Sequence, residues 1–184
     1  MLETNFSPFP EIRTQRLLLR RITTADAPAV LAMRSNEAVM QYIDRPLIKT
    51  IQDAEAWIQI VNDALESNNG INWAIAIATE PDKQIGTIGF WRLIKEHYRA
   101  EVGYMLNETY WRKGITKEAL LAVHDFGFDQ MQLHSIEAHI NPANAASAAI
   151  LESVGYTREA YFREDYFFKG KFLDTAIYSL LKDS

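Results

Sequence analysis

The sequence predicts an α+β fold, a central mixed but mostly antiparallel sheet flanked by helices. Three observations carry that prediction. Three strand-like runs follow one another between residues 73 and 106, separated by short polar turns. After Gly114 the apolar period changes to that of a helix. Strand, helix and strand patterns then alternate along the last part of the sequence. The 184 residues fit one domain, 1–184, long enough to bury a full core without staples.

Residues 1–13 carry Pro8 and Pro10 and read as an extended lead-in. Arg16–Arg20 is a short strand. Asp26 and Pro28 open a helix, because proline is tolerated in the first turn. Pro46 interrupts the chain. Thr50–Ser67 is a helix, with Ala54, Trp57, Ile58, Val61, Ala64 and Leu65 recurring at helical spacing, and Asn68-Asn69-Gly70 stops it. Trp73–Ala78, Gln84–Leu93 and Ala100–Leu106 form a meander with turns at Glu80–Lys83 and Lys95–His97. In its third strand Ala100, Val102, Tyr104 and Leu106 share one face, and Glu101, Gly103 and Met105 the other. Gly114–Met131 is a helix, Ser135–Ile140 a strand and Ala145–Val154 an Ala-rich helix ended by Gly155. Tyr156–Phe168 and Lys171–Leu181 are two strands around Lys169-Gly170. The count is about seven strands and about four helices.

Composition narrows the function. A 48% hydrophobic chain is globular rather than disordered. With no cysteine there is no disulfide, no thiolate-held metal and no cysteine nucleophile, which fits the cytoplasm. A net charge of -5 points away from nucleic-acid binding, and no apolar run reaches the length of a membrane span. Residues 1–10 lack the pattern of a secretory leader. The four histidines form no H-E-x-x-H pair, so no metal is expected. Phosphate-loop, dinucleotide and serine-hydrolase signatures are absent as well.

The segment Tyr110–Leu120 carries the chemistry. Gly114 lies between a strand and a helix and lets the backbone turn tightly. The first helical amides lack internal acceptors, and the helix dipole favours an anion there. With Arg112 and Lys113 beside it, this is a cradle for a pyrophosphate. The same residues also read as a solvated basic turn.

Glu101-Val102-Gly103-Tyr104-Met105-Leu106, Tyr110-Trp111-Arg112-Lys113-Gly114 and Glu118-Ala119-Leu120 together resemble the GNAT superfamily of N-acetyltransferases. Ile136-Glu137-Ala138, Asn141-Pro142 with Asn144 and Ser147, and Leu151-Glu152-Ser153-Val154-Gly155-Tyr156 continue the resemblance in order. Thr14–Arg20 resembles the opening strand of the RimJ/RimL-type branch. The match runs from Thr14 to Leu181.

The resemblance implies a sheet splayed between its fourth and fifth strands, with acetyl-CoA in the opening and a primary amine entering from the other side. It implies backbone pairing of Met105, Leu106 and Asn107 with the pantetheine arm, with the oxyanion held by an amide near Met105. It implies a pyrophosphate site at Arg112, Lys113, Gly114, Ile115 and Thr116, with Asn144 and Ser147 along the CoA arm. Thr116 departs from the Gly or Ala that the family signature carries in that slot. Leu151 stands where many members have a tyrosine acid, which leaves Ser147 as the acid toward the thiolate. Glu101 is the candidate general base, since the attacking amine must lose a proton. Each role has a plain counterpart: Glu101 as a packing carboxylate, and Ser147 as a small residue that lets α-helices approach. Glu137 and His139 share one face of their strand and are candidates to line the cleft. Glu164, Asp165 and Tyr166 fall where relatives border the acceptor.

The function implied is acetyl transfer to a primary amine on a small molecule or a protein N-terminus, by a monomer or homodimer. The other class consistent with the sequence is a catalytically inactive CoA-sensing or protein-interaction module on the same fold.

Overall fold

The computed structural model describes residues 1–182. Eight strands form one sheet: β1 (Ile12–Arg13), β2 (Leu17–Arg21), β3 (Ile71–Ile77), β4 (Glu80–Ile94), β5 (Arg99–Leu106), β6 (Ser135–Ile140), β7 (Thr157–Phe168) and β8 (Lys171–Leu181). Their order is β1-β2-β3-β4-β5-β6-β8-β7. Only β5 and β6 pair in parallel; every other neighbour is antiparallel. Five helices flank the sheet: α1 (Ala27–Arg34), α2 (Glu37–Met40), α3 (Ile51–Glu66), α4 (Ile115–Asp125) and α5 (Ala145–Ser153).

The fold class is the one expected, with small differences in count. The eighth strand is β1, two residues of the lead-in that pair with Leu18 and Leu19. The splay therefore falls between the fifth and sixth strands of the sheet. The fifth helix is α2, a single turn started by the Asn36 side chain, which accepts from the amides of Ala38 and Val39. The turn between β3 and β4 is at Ala78 and Thr79, and the polar run Glu80–Lys83 lies within β4 itself. The helix from Gly114 loosens into a π-type turn over Phe126–Gln130.

Two layers cover the sheet. On one face α4 and α5 bury Leu120, Val123 and Leu151 against Val102, Ile136 and Ala138. On the other, α3 lays Ala54, Ile58 and Val61 against Ile22, Val30 and Ala74. Thr50 and Asp53 start α3 with reciprocal capping bonds of 3.1 and 2.9 Å. Beside α3, Met33 and Met40 close on Met105. The alternation read in β5 holds: its even residues face α4 and α5, and its odd residues face α1 and α2.

The hairpin of β7 and β8 is irregular. It turns at Lys169 and Gly170, both at positive φ, as a two-residue hairpin requires. β7 takes the span Phe162–Tyr166 to cover what β8 covers from Thr175 to Leu173. Glu164 adopts a φ of 54° there, and its amide donates to Asp174 at 2.9 Å. The Tyr161 hydroxyl donates to the same carboxylate. This bulge aims Tyr166 at the loop before α3, where its hydroxyl accepts from Arg45 at 3.0 Å.

Candidate active site

The sheet opens at Glu101. β5 and β6 pair only from Arg99–Glu101 to Ser135–Glu137. Beyond that point β5 stays with β4 and β6 stays with β8, so a wedge separates them. The backbone groups that face the wedge follow from register. The Asn107 amide donates to the Ile85 carbonyl at 2.9 Å, on the β4 side. In an antiparallel pair, bonded and non-bonded residues alternate. Met105 therefore turns its backbone to β4 with Asn107, while Tyr104 and Leu106 turn theirs to the wedge. The Leu106 carbonyl receives the Trp111 indole at 2.8 Å and keeps a second lone pair. The Asn107 amide is thus occupied on the β4 side, and its carbonyl accepts from the Tyr110 amide at 2.9 Å.

At one end of the wedge, α4 begins at Gly114, which has φ 74° and no side-chain cap. Its Ile115 side chain is buried, while Arg112, Lys113 and Gly114 are exposed. Thr116 lies in the first turn and Arg112 sits at a φ of 59°. Lys113 folds back, donating to the Thr109 carbonyl at 2.8 Å. A cation missed in the sequence reading stands closer: an Arg16 guanidinium nitrogen lies 3.5 Å from where a Gly114 Cβ would be. Arg16 is fixed by Glu118 at 2.6 Å and by the Lys113 carbonyl at 2.9 Å. The cradle is therefore a helix N-terminus flanked by arginine, open for an anion.

Glu101 marks the apex. It is 6% exposed, and its Oε2 is buried with no hydrogen-bond partner. Arg92 and His139 approach that oxygen only to 3.8 and 3.9 Å. His139 Nε2 lies 3.2 Å from Glu137, which holds Arg99 at 2.9 Å. Burial pushes the Glu101 carboxyl above the ordinary carboxylate range, with Glu137 adding and His139, Arg92 and Arg45 opposing. A proton acceptor with an unoccupied oxygen is what this geometry offers.

Across the wedge, Ser147 is buried in the first turn of α5. Its amide donates to Asn144, the cap of that helix, at 3.1 Å. Its hydroxyl lies 2.5 Å from the Tyr104 hydroxyl. Burial pushes Tyr104 up to about 12, so it stays protonated at neutral pH. Tyr104 is the partner that the sequence reading missed, although the alternation of β5 had placed it on the face opposite Glu101. The structure thus sets Glu101 on one side of the wedge and Ser147 with Tyr104 on the other. Leu151 is fully buried in the core and brings no polar group.

An opened mixed sheet with a helix N-terminus at one end and a buried carboxylate at its apex fits an acyl-CoA-dependent N-acetyltransferase. The model of the acetyltransferase (GNAT) domain family matches residues 16–157. The uncharacterized N-acetyltransferase YoaA of Bacillus subtilis is 35% identical over 174 residues, 95% of this chain and 98% of its own. The chain belongs to the GNAT acetyltransferase family and is an enzyme of that type. A GNAT-family acetyltransferase structure from Bacillus anthracis superimposes with a TM-score of 0.83 at 28% identity, covering 95% of this chain and 100% of that one. RimL, a ribosomal L7/L12 alpha-N-protein acetyltransferase in complex with CoA, shares the fold with a TM-score of 0.85 at 18% identity, over 95% and 99% of the chains. Among the described residues no helix is long and apolar enough to cross a membrane.

Proposed function

We propose that the protein moves the acetyl group of acetyl-CoA directly to a primary amine, a protein or peptide N-terminal α-amine first among the candidates. The observation that carries this reading is the wedge itself, with a buried carboxylate whose Oε2 accepts no hydrogen bond on one side and a pair of bonded hydroxyls on the other. Acetyl-CoA supplies the activated thioester. The N-terminus of α4, with Arg16 and Arg112 beside it, holds the pyrophosphate. The free backbone groups of Tyr104 and Leu106 pair with the pantetheine arm as a neighbouring strand would. The Tyr104 amide faces the negative charge that develops on the acetyl oxygen. Glu101 accepts the amine proton, directly or through one water. Ser147, oriented by the Tyr104 hydroxyl, gives its proton to the departing sulfur and is reprotonated from solvent once CoA has left. The cysteine-free chain fits work in the cytoplasm.

The test is CoA release from acetyl-CoA with a panel of peptide N-termini, polyamines and small amines. Turnover of peptides above polyamines supports the N-terminal reading. Turnover of polyamines alone overturns that choice of acceptor, and binding of acetyl-CoA without release from any amine overturns the reaction. Ser147→Ala should lower kcat about ten-fold while acetyl-CoA affinity changes little; the effect is modest because a thiol leaves readily even without an acid. Tyr104→Phe should give a smaller loss in the same direction. A wild-type kcat in Ser147→Ala removes the serine from this role.

A further inference from the structure

A cleft of about 420 Å³ lies between α1, α3 and the loop that joins α2 to α3. Arg34, Arg45 and Lys49 line it, with Leu47, Trp57 and Ile60 as apolar walls. The Arg34 guanidinium lies 4.9 Å over the Trp57 ring. Its Nε is buried and has no hydrogen-bond partner. Arg45 donates to two neutral oxygens, the Tyr166 hydroxyl and the Asp44 carbonyl, each at 3.0 Å. Among the described residues, no carboxylate comes within 4.0 Å of any of the three cations. The carboxylate on the cleft wall, Asp53, is occupied by the amides of Lys49 and Thr50, both at 2.9 Å.

The half-buried Arg34 faces the charge of the exposed Arg45, and the Asp44 carboxylate, which acts on Arg45, lies beyond 4.0 Å. Burial, and then the charge of Arg45, pull Arg34 below its ordinary value. An anion between the two arginines offsets this and takes the charge-assisted, paired bonds that guanidinium geometry favours. Arg45 also reaches beyond the cleft. It is tied to Tyr166 of β7, and its charge acts on Glu101. One residue thus joins the cleft to the proton acceptor.

We propose that this cleft holds a carboxylate of the acceptor itself, so that the preferred substrate is an acidic peptide whose N-terminal amine reaches Glu101. The proposal rests on the acetyl-transfer reading of the wedge. It predicts discrimination in the sense opposite to that of a polyamine site, because a second cationic group would meet Arg34 and Arg45.

The probes are two hexapeptides with a free N-terminal serine, one with glutamate at its second and third positions and one with glutamine there. Calorimetry in the presence of CoA reads binding without turnover. The wild-type protein should bind the glutamate peptide about ten-fold tighter, a preference that weakens with added salt. The double variant Arg34→Gln, Arg45→Gln should bind the two peptides about equally. Lys49→Gln, at the rim, should lose part of the preference and serves if the double variant does not fold. Equal affinities of the wild-type protein for the two peptides overturn the proposal, whether or not either peptide is acetylated. A preference kept intact in both variants overturns it as well. A glutamate preference that depends on the arginines, with no CoA release from any amine, leaves the cleft standing and overturns the transferase reading instead.

Discussion

Glu101→Gln should lower kcat about 100-fold, the usual worth of a positioned general base, and should raise rather than lower thermal stability. Both effects come from the same burial. The carboxylate has an oxygen with no partner, and its folded-state pKa lies above its unfolded value. A carboxyl with a raised pKa binds more protons in the folded state, so stability falls as pH climbs from the ordinary carboxylate value through the folded one. Above that window the ionised group is a standing penalty, which glutamine removes. The wild-type acid limb of kcat/KM should accordingly lie above the ordinary carboxylate range, and in the variant this limb should disappear. Stopped-time CoA release across pH, with melting curves on the same samples, checks both. A variant that loses stability along with rate would make Glu101 a packing residue, and an unchanged kcat would take it out of the reaction.

Gly114→Asp should weaken acetyl-CoA binding about 100-fold while leaving the protein folded. The residue sits at φ 74°, where a side chain is strained, but aspartate tolerates that region better than most residues. Space is not the obstacle, since the nearest atom to an added Cβ is an Arg16 nitrogen at 3.5 Å. The new carboxylate would instead lie against Arg16 and the first amides of α4, occupying the cradle with the protein's own charge. Gly114→Ala separates the two causes: it brings about 1 kcal/mol of backbone strain and no charge, so its loss of affinity should be much smaller. Titration calorimetry with acetyl-CoA reads both variants. Wild-type affinity in the aspartate variant would show that pyrophosphate is held elsewhere.

Most of the fold was legible because its signals are local. The period of β5 assigned each of its residues to a face, and that assignment survives in Met105 against the α1–α2 side and Val102 against the α4–α5 side. Helical apolar spacing placed α3 within Thr50–Ser67, and the structure caps it at those two residues, while the single turn of α2 is too short to carry such a period. β1 escaped because two residues carry no period. The site was legible in its residues but not in their pairings. Tyr104 and Ser147 lie far apart in sequence, and only the fold brings their hydroxyls together. Arg16 meets Gly114 for the same reason, through the docking of β2 on the first turn of α4. Which backbone groups face the wedge depended on a register set by one bond, from Asn107 to Ile85. Arg34 gave no sign at all, because an unpaired cation is ordinary on a surface and becomes informative only once burial is known.

The bulge in β7 also bears on how this edge of the sheet meets other chains. β7 is the outermost strand of the sheet, and Tyr161, Phe162, Tyr166, Phe167 and Phe172 are exposed along its hairpin. A long, regular outer strand with that many aromatic side chains would template the addition of a second chain and seed aggregation. The extra residues between Phe162 and Tyr166, with Arg163, Glu164 and Asp165 among them, break the ladder that an incoming strand would need. Asp174 pins the break by taking both the Glu164 amide and the Tyr161 hydroxyl. The same irregularity that turns Tyr166 toward Arg45 therefore acts as a guard on solubility.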